Sequence, residues 1–203
     1  MKEGMADSMT TRDLAGYDFG KAASAVSPVS DDALRQLEQT VEWTEADAAL
    51  LNKHLPLFRE RAESMVESWR AVISAQPHLA EWFRGPDGAP DDDYKARVKA
   101  RFVQWVIDVA SRSHDRDWLN YQEEIGLRHT PAKKNATDHK HTPPLVPFRY
   151  LLAFVAIVLP VRKFFAAAIH SPDELDGVEM AWRKAACLHI ALWARPYTIE
   201  GLW

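Results

Sequence analysis

The stretch EEIGLRHTPAKKN (residues 123–135) joins a helix-period pattern to a helix-stopping signal. Just upstream and into it, Trp118, Gln122, Ile125 and His129 stand at i, i+4, i+7 and i+11, so they share one helix face. Pro131 biases Thr130 away from the α region, and the helix has to end near His129. Carbonyls of that last turn then lose their intrahelical partners. A free carbonyl around Ile125 can accept the Nδ1–H of His129, which fixes the tautomer and leaves Nε2 bare for a metal. The plain alternative is a histidine set at a helix C-terminus because the dipole favours its charge. Periodicity alone leaves both readings open. Gly126 lies one position beside this face. Gly costs about 1 kcal/mol relative to Ala in a helix interior, so its presence implies that something bulky approaches the backbone there.

Working outward, the same period recurs along the chain and strand signals are almost absent. "SPVSDDALRQLEQTVEW" offers Ser30 or Asp31 as a helix cap, and residues 1–29 before it form a largely irregular extension. The span 44–76 opens with Thr44 and, three residues later, Asp47. It carries apolar positions three and four apart, with Pro56 inside as a kink or junction. Gly85-Pro86-Asp87-Gly88 is a breaker. "YKARVKARFVQWVIDVAS" places Val98, Phe102, Trp105 and Val109 on one face. "AKKNATDHKHTPP" reads as a polar, solvated loop. A long apolar helix from about Val146 to His170, with Pro160 inside, and a final helix starting at Pro172 and stopping at Pro196 complete the pattern. The expectation is one all-α domain over 1–203, of roughly seven to eight helices.

Composition limits the function classes. Of 203 residues, 47% are apolar in the wide sense and 27% charged, with a formal charge of −4, so nothing electrostatic argues for nucleic acid as a partner. "YLLAFVAIVLPV" falls short of the ~20 apolar residues of a membrane span, so no membrane is expected. The N-terminus lacks the apolar core of a signal peptide, and Cys187 is the single cysteine; a cytoplasmic protein without disulfides is expected. Eight tryptophans and eight phenylalanines can fill a core, line a pocket for a large flat ligand, or do both.

The other histidines compete poorly with His129. His139 and His141 form an H-x-H pair with no carboxylate pattern to complete a site. His189 shares an apolar face with Trp182, Ala185 and Trp193; it reads as a core histidine and second as a ligand. No zinc-protease, phosphate-loop, dinucleotide or nucleophile-elbow motif occurs, and the residues three before His129 and His189 are Gly126 and Ala186, which removes a di-iron carboxylate pattern. No residue is assigned a catalytic role.

Several stretches together resemble the protoglobin family, the single-domain relatives of the sensor globins. They are "LAGYDFG" (14–20), "WRAVISAQPHLAEWF" (69–83), residues 86–138, "FRYLLAFV" (148–155) and "AWRKAACLHIALWARPY" (181–197). The block 115–138 is the most specific: Trp118, Leu119, Tyr121, Gly126 to His129, Lys133, Lys134, Asn135 and Thr137 stand as that family has them. The resemblance implies a globin-like 3-over-3 helical sandwich with an extra N-terminal helix and an N-terminal loop over the haem. It implies haem b on His129 as the metal ligand, and homodimers through the last two long helices. Trp69, Phe102 and Phe154 match distal-pocket positions, Tyr17 and Phe19 fall in the covering loop, and Arg101 joins the cofactor-binding set. One departure stands out: Arg70 occupies the place after the tryptophan where the family usually carries a tyrosine. Arg70 is therefore either a distal-pocket donor or an outward side chain.

The function expected is reversible binding of O2, CO and NO at an iron with one protein ligand. Two other classes are a haem enzyme acting on NO, peroxide, peroxynitrite or carbene donors, and a gas sensor working through a separate partner, since no output domain follows Trp203. A haem-free helical scaffold is the remaining reading.

Overall fold

The computed structural model describes residues 14–199 and 201–203. Residues 14–29 run as turns and extended chain without a helix; the rest of the expected irregular extension lies outside the described residues. Ser30 then caps α1 (Asp31–Thr40), its hydroxyl accepting from the Ala33 N–H. Thr44 and Asp47 form a reciprocal capping box at the start of α2 (Glu45–Lys53).

The span 44–76 is two helices. The chain breaks at His54, and Pro56 sits in the first turn of α3 (Leu55–Ala75), where its missing N–H costs no helix bond. A single turn α4 (Pro77–Ala80) and a 3-10 turn, Glu81–Phe83, lead to α5 (Asp92–Ser111), capped by Asp91. α6 (Arg116–Leu127) starts at Asp115, whose side chain accepts from the Trp118 N–H.

The expected continuous helix from 146 to 170 is corrected. α7 (Phe148–Val158) stops before Pro160, which cannot donate a helix bond and whose ring would press on the carbonyl four residues back. One turn, α8 (Arg162–Phe165), follows before Ser171 caps α9 (Pro172–Ala194). Nine helices are therefore present among the described residues, two of them single turns, and no strand beyond an isolated Arg84–Pro90 bridge.

α3 lies along α5, and α9 packs on α2, α5, α6, α7 and α8. The core fills the junction. α3 contributes Phe58, Met65 and Trp69; α5 contributes Trp105 and Val106; α9 contributes Val178 and Trp182. Trp182 is fully buried, stacked on Phe58 and Trp69, and its Nε1–H donates to the Val158 carbonyl at 2.9 Å, tying the end of α7 to α9.

The glycine at 126 has a concrete cause: a Cβ there would stand 3.1 Å from Pro196 Cγ and 3.2 Å from Trp193 Cα. The bulky neighbour is the C-terminal end of α9, which glycine lets approach α6.

Trp182→Ala is expected to cost about 3–5 kcal/mol, from the cavity it leaves. Urea unfolding followed by far-ultraviolet circular dichroism measures it.

Candidate functional site

The end of α6 is built by backbone bonding. His129 N–H donates to the Gly126 carbonyl at 3.1 Å and Thr130 N–H to Leu127 at 3.0 Å, both three residues back. That tightening leaves the Ile125 carbonyl to the side chain of His129, whose Nδ1 lies 2.8 Å away and donates to it. The bond expected from the helix-stop signal is therefore present. The carbonyl of His129 accepts from Val146 N–H at 2.9 Å and from the Tyr197 hydroxyl at 3.1 Å, so the backbone is held as well as the ring.

Nε2 makes no hydrogen bond among the described residues, and the His129 ring lines a cavity. Burial lowers its pKa to about 4, so at neutral pH the ring is a neutral base with a lone pair on the unbonded nitrogen.

The cavity encloses about 1280 Å³ of space with its mouth included. Its walls come from the end of α3, the α4 region, α5, α6, α7 and α9, and they are mainly apolar. Phe102 and Phe154 are on the wall. Arg101 is there too, but its guanidinium makes a bidentate pair with buried Asp138 at 2.9 and 2.5 Å and donates to the Ala15 carbonyl.

Four expected positions lie off the wall. Trp69 is 1% exposed and sits one ring behind Phe102, at 5.5 Å between centroids, because Phe102, Trp105, Phe164 and Trp182 surround it; the wall of α3 starts one turn later, at Ile73. Arg70 turns into a neighbouring cleft, where its Nη1 donates to the Lys95 carbonyl at 2.9 Å. The guanidinium finds a backbone acceptor there and does not line the cavity.

Tyr17 donates to Asp108 Oδ2 at 2.6 Å and meets Tyr121 edge-on; Phe19 lies under the Arg112 guanidinium and also against Tyr121. Tyr121 is on the wall, so this segment covers the cavity from behind it. Gly16 secures that cover. It has φ +71, and a Cβ would fall 2.7 Å from Arg101 Nη1, while its carbonyl accepts from Arg128.

Lys134, Tyr94 and Trp193 also line the site and were not singled out from sequence. Lys134 is 3% exposed, in a loop read as solvated; Asp138 and Thr142 of that loop are buried too, which corrects the expectation. His139 and His141 are exposed. Lys134 Nζ donates to the Trp82 carbonyl at 2.9 Å and to Thr142 Oγ1 at 2.5 Å, lies over the Tyr94 ring, and makes no carboxylate pair among the described residues. Burial lowers its pKa to about 8. The only sequence signal was its place in the specific block 115–138.

His189 is buried, with Nδ1 accepting from Trp105 Nε1–H at 2.7 Å, and it does not line the cavity. Among the described residues no cluster of His, Cys, Asp and Glu could hold a metal ion. Any metal at this site would therefore need most of its ligands from a cofactor, with one from the protein.

The family model described as Protoglobin matches residues 30–203. Among solved structures, the globin domain of a Geobacter sulfurreducens globin-coupled sensor is similar, with a TM-score of 0.64 at 16% identity, covering 81% of this chain and 97% of that one. That likeness shows a globin fold. No curated protein matches.

The Lys134 shift has a signed consequence. Its folded pKa lies below the unfolded value of 10.5, so between about pH 8 and 10.5 the unfolded chain holds more protons. Stability attributable to Lys134 then rises with pH across that window, by about 3 kcal/mol at most. Denaturant unfolding of wild type minus Lys134→Met, from pH 7.5 to 10.5, is expected to show this rise.

Proposed function

The chain belongs to the protoglobin family, and from that premise we propose that Nε2 of His129 would hold haem b and that the loaded chain would bind O2, CO and NO. Membership brings the haem cofactor and the gas-binding role; the ligand, the haem type and the gases are our reading. One observation carries it: the bond from His129 Nδ1 to the Ile125 carbonyl, which leaves a neutral Nε2 toward a large apolar cavity.

The residues fit the group. A planar macrocycle needs apolar walls, one imidazole and cations for its carboxylates. The walls and the imidazole are described above, and Lys134 is a buried cation without a carboxylate partner among the described residues, suited to a propionate. When bound, the haem supplies an iron with an open coordination position. His129 would hold the group, and Phe102, Phe154 and the segment around Gly16 would keep water from it.

Phe102 and Phe154 offer no hydrogen-bond donor, and Arg70 is turned aside. Dioxygen gains more from a donor than carbon monoxide does, so the side of the wall formed by Phe102 and Phe154 favours carbon monoxide. We also propose a homodimer through α7 and α9, supported by Leu152 and Met180, 54% and 52% exposed on those helices. A cytoplasmic location is supported by the free thiol of Cys187. No helix among the described residues is long and apolar enough to cross a membrane.

His129→Ala is expected to abolish the iron–imidazole stretch in resonance Raman spectra of reconstituted protein, with added imidazole restoring a five-coordinate signal. A wild-type spectrum showing another axial ligand sinks the proposal. Arg70→Leu is expected to change dioxygen dissociation by less than about tenfold, or 1.4 kcal/mol, read by stopped flow.

A further inference from the structure

A continuous file of aromatic rings leaves the cavity and reaches the surface. The His129 ring lies 6.1 Å from Trp193, centroid to centroid and nearly parallel at 26°. Trp193 is 5.8 Å from His189, one helical turn back on α9. His189 is 5.3 Å from Trp118, Trp118 is stacked on His114 at 4.1 Å, and His114 is stacked on Trp43 at 5.0 Å. Indole and imidazole alternate along the whole file. Trp193 lines the cavity, Trp118 and His189 are 1% exposed, and Trp43 is half-buried at the start of α2.

Core packing explains the indoles but not the imidazoles between them. An apolar residue at 189 would leave the buried Trp105 Nε1–H without its acceptor, but it would spare the orphaned nitrogen of the imidazole. His189 carries a buried Nε2 with no partner among the described residues, a group that costs about 1–3 kcal/mol. Its Nδ1 takes the hydrogen bond of Trp105 Nε1–H at 2.7 Å, and Trp105 is itself on the cavity wall, 5.7 Å from Trp193. A base on an indole N–H satisfies that buried donor and has a further chemical use. When the indole loses an electron, its acidic N–H proton can pass to the base, which makes the oxidation easier.

At the outer end, His114 Nδ1 is 2.7 Å from Glu38 Oε1, so that imidazole is fixed in orientation too. Each ring is therefore within reach of the next, and the one on the wall has a proton acceptor in place.

We propose that Trp193 and Trp105, His189, Trp118, His114 and Trp43 conduct single electrons from small phenols at the surface to the cavity, giving the protein a peroxide-dependent oxidase activity distinct from gas binding. It rests on the haem reading above. The balance is one hydrogen peroxide and two phenols giving two waters and two phenoxyl radicals. The O–O bond breaks, each phenol O–H bond breaks, and two electrons and two protons pass from the phenols to the peroxide oxygens. Within the protein, Trp105 gives up an electron and its Nε1 proton to His189 Nδ1, and regains both when the next electron arrives from Trp118.

The test uses the haem-loaded chain. Its absorption spectrum with carbon monoxide is recorded first, then hydrogen peroxide is added without a phenol, and oxidised tryptophans are located by peptide mass spectrometry. In wild type, oxidation is expected at Trp43 as well as at the cavity. In Trp118→Phe, Trp43 stays intact and oxidation collects at Trp105 and Trp193. Trp43→Phe, a change at the surface that leaves the core in place, is expected to slow guaiacol oxidation by about tenfold with carbon monoxide binding unchanged.

A loaded wild-type chain whose Trp43 stays unmodified, or a Trp118→Phe chain that still oxidises Trp43, overturns the conduit alone. Unchanged guaiacol turnover in Trp43→Phe overturns it as well. A chain that shows no haem absorption overturns the cofactor reading and the conduit with it.

Discussion

The geometry of the cavity hangs on where α6 stops. If the helix ran on for another turn, the Ile125 carbonyl would bond the His129 backbone N–H and the imidazole would lose its fixed acceptor. Instead Thr130 and Pro131 end the helix, the last N–H groups reach three residues back, and one carbonyl is released to a side chain. A ring with a pinned Nδ1 has a defined tautomer and a defined plane. The position of the unbonded nitrogen, Nε2, is set by backbone arithmetic within seven residues, Ile125 to Pro131.

Holding that short segment takes long-range ionic contacts. Glu123 and Glu124 are both buried on α6. Glu123 pairs with Arg195, just past the end of α9, and Glu124 pairs with Arg128 and Lys133 and accepts from the Ala25 N–H. Burial works to raise the Glu124 pKa, but Lys133, Arg128 and that N–H outweigh it and hold the carboxyl below its usual range. Buried pairs of this kind contribute little net stability compared with apolar packing, because desolvation offsets attraction. Their value here is positional. They lock the end of α6 to the end of α9 and to the N-terminal segment, which are the three pieces of chain around His129.

What could be read from sequence follows how local each feature is. The Ser30 cap, the Thr44–Asp47 box, the start of α9 at Pro172 and the His129–Ile125 bond involve residues within four positions of one another, and all were legible. Phe102 was legible as inward-facing, whereas Phe154 entered only through the resemblance. The break at Pro160 was missed because the apolar run continues across it. Lys134 and Asp138 were missed because the partners that make their burial tolerable, Trp82 and Arg101, lie 52 and 37 residues away. Trp69 was placed on the wall by its family position, whereas four aromatic rings around it put the wall one turn further on.

That displacement ties the departure at Arg70 to the rest of the site. Trp69 faces the core and Arg70, the next residue, points about 100° around the helix, where the first turn of α5 presents the Lys95 carbonyl. Arg70 is half-buried and desolvation lowers its pKa, so the guanidinium gains by staying at an edge with a backbone acceptor rather than entering an apolar chamber. A tyrosine at this place could enter that chamber at far smaller cost, since it carries no charge. The arginine therefore keeps its charge at the edge of the neighbouring cleft, and the side of the chamber formed by Phe102 and Phe154 stays apolar.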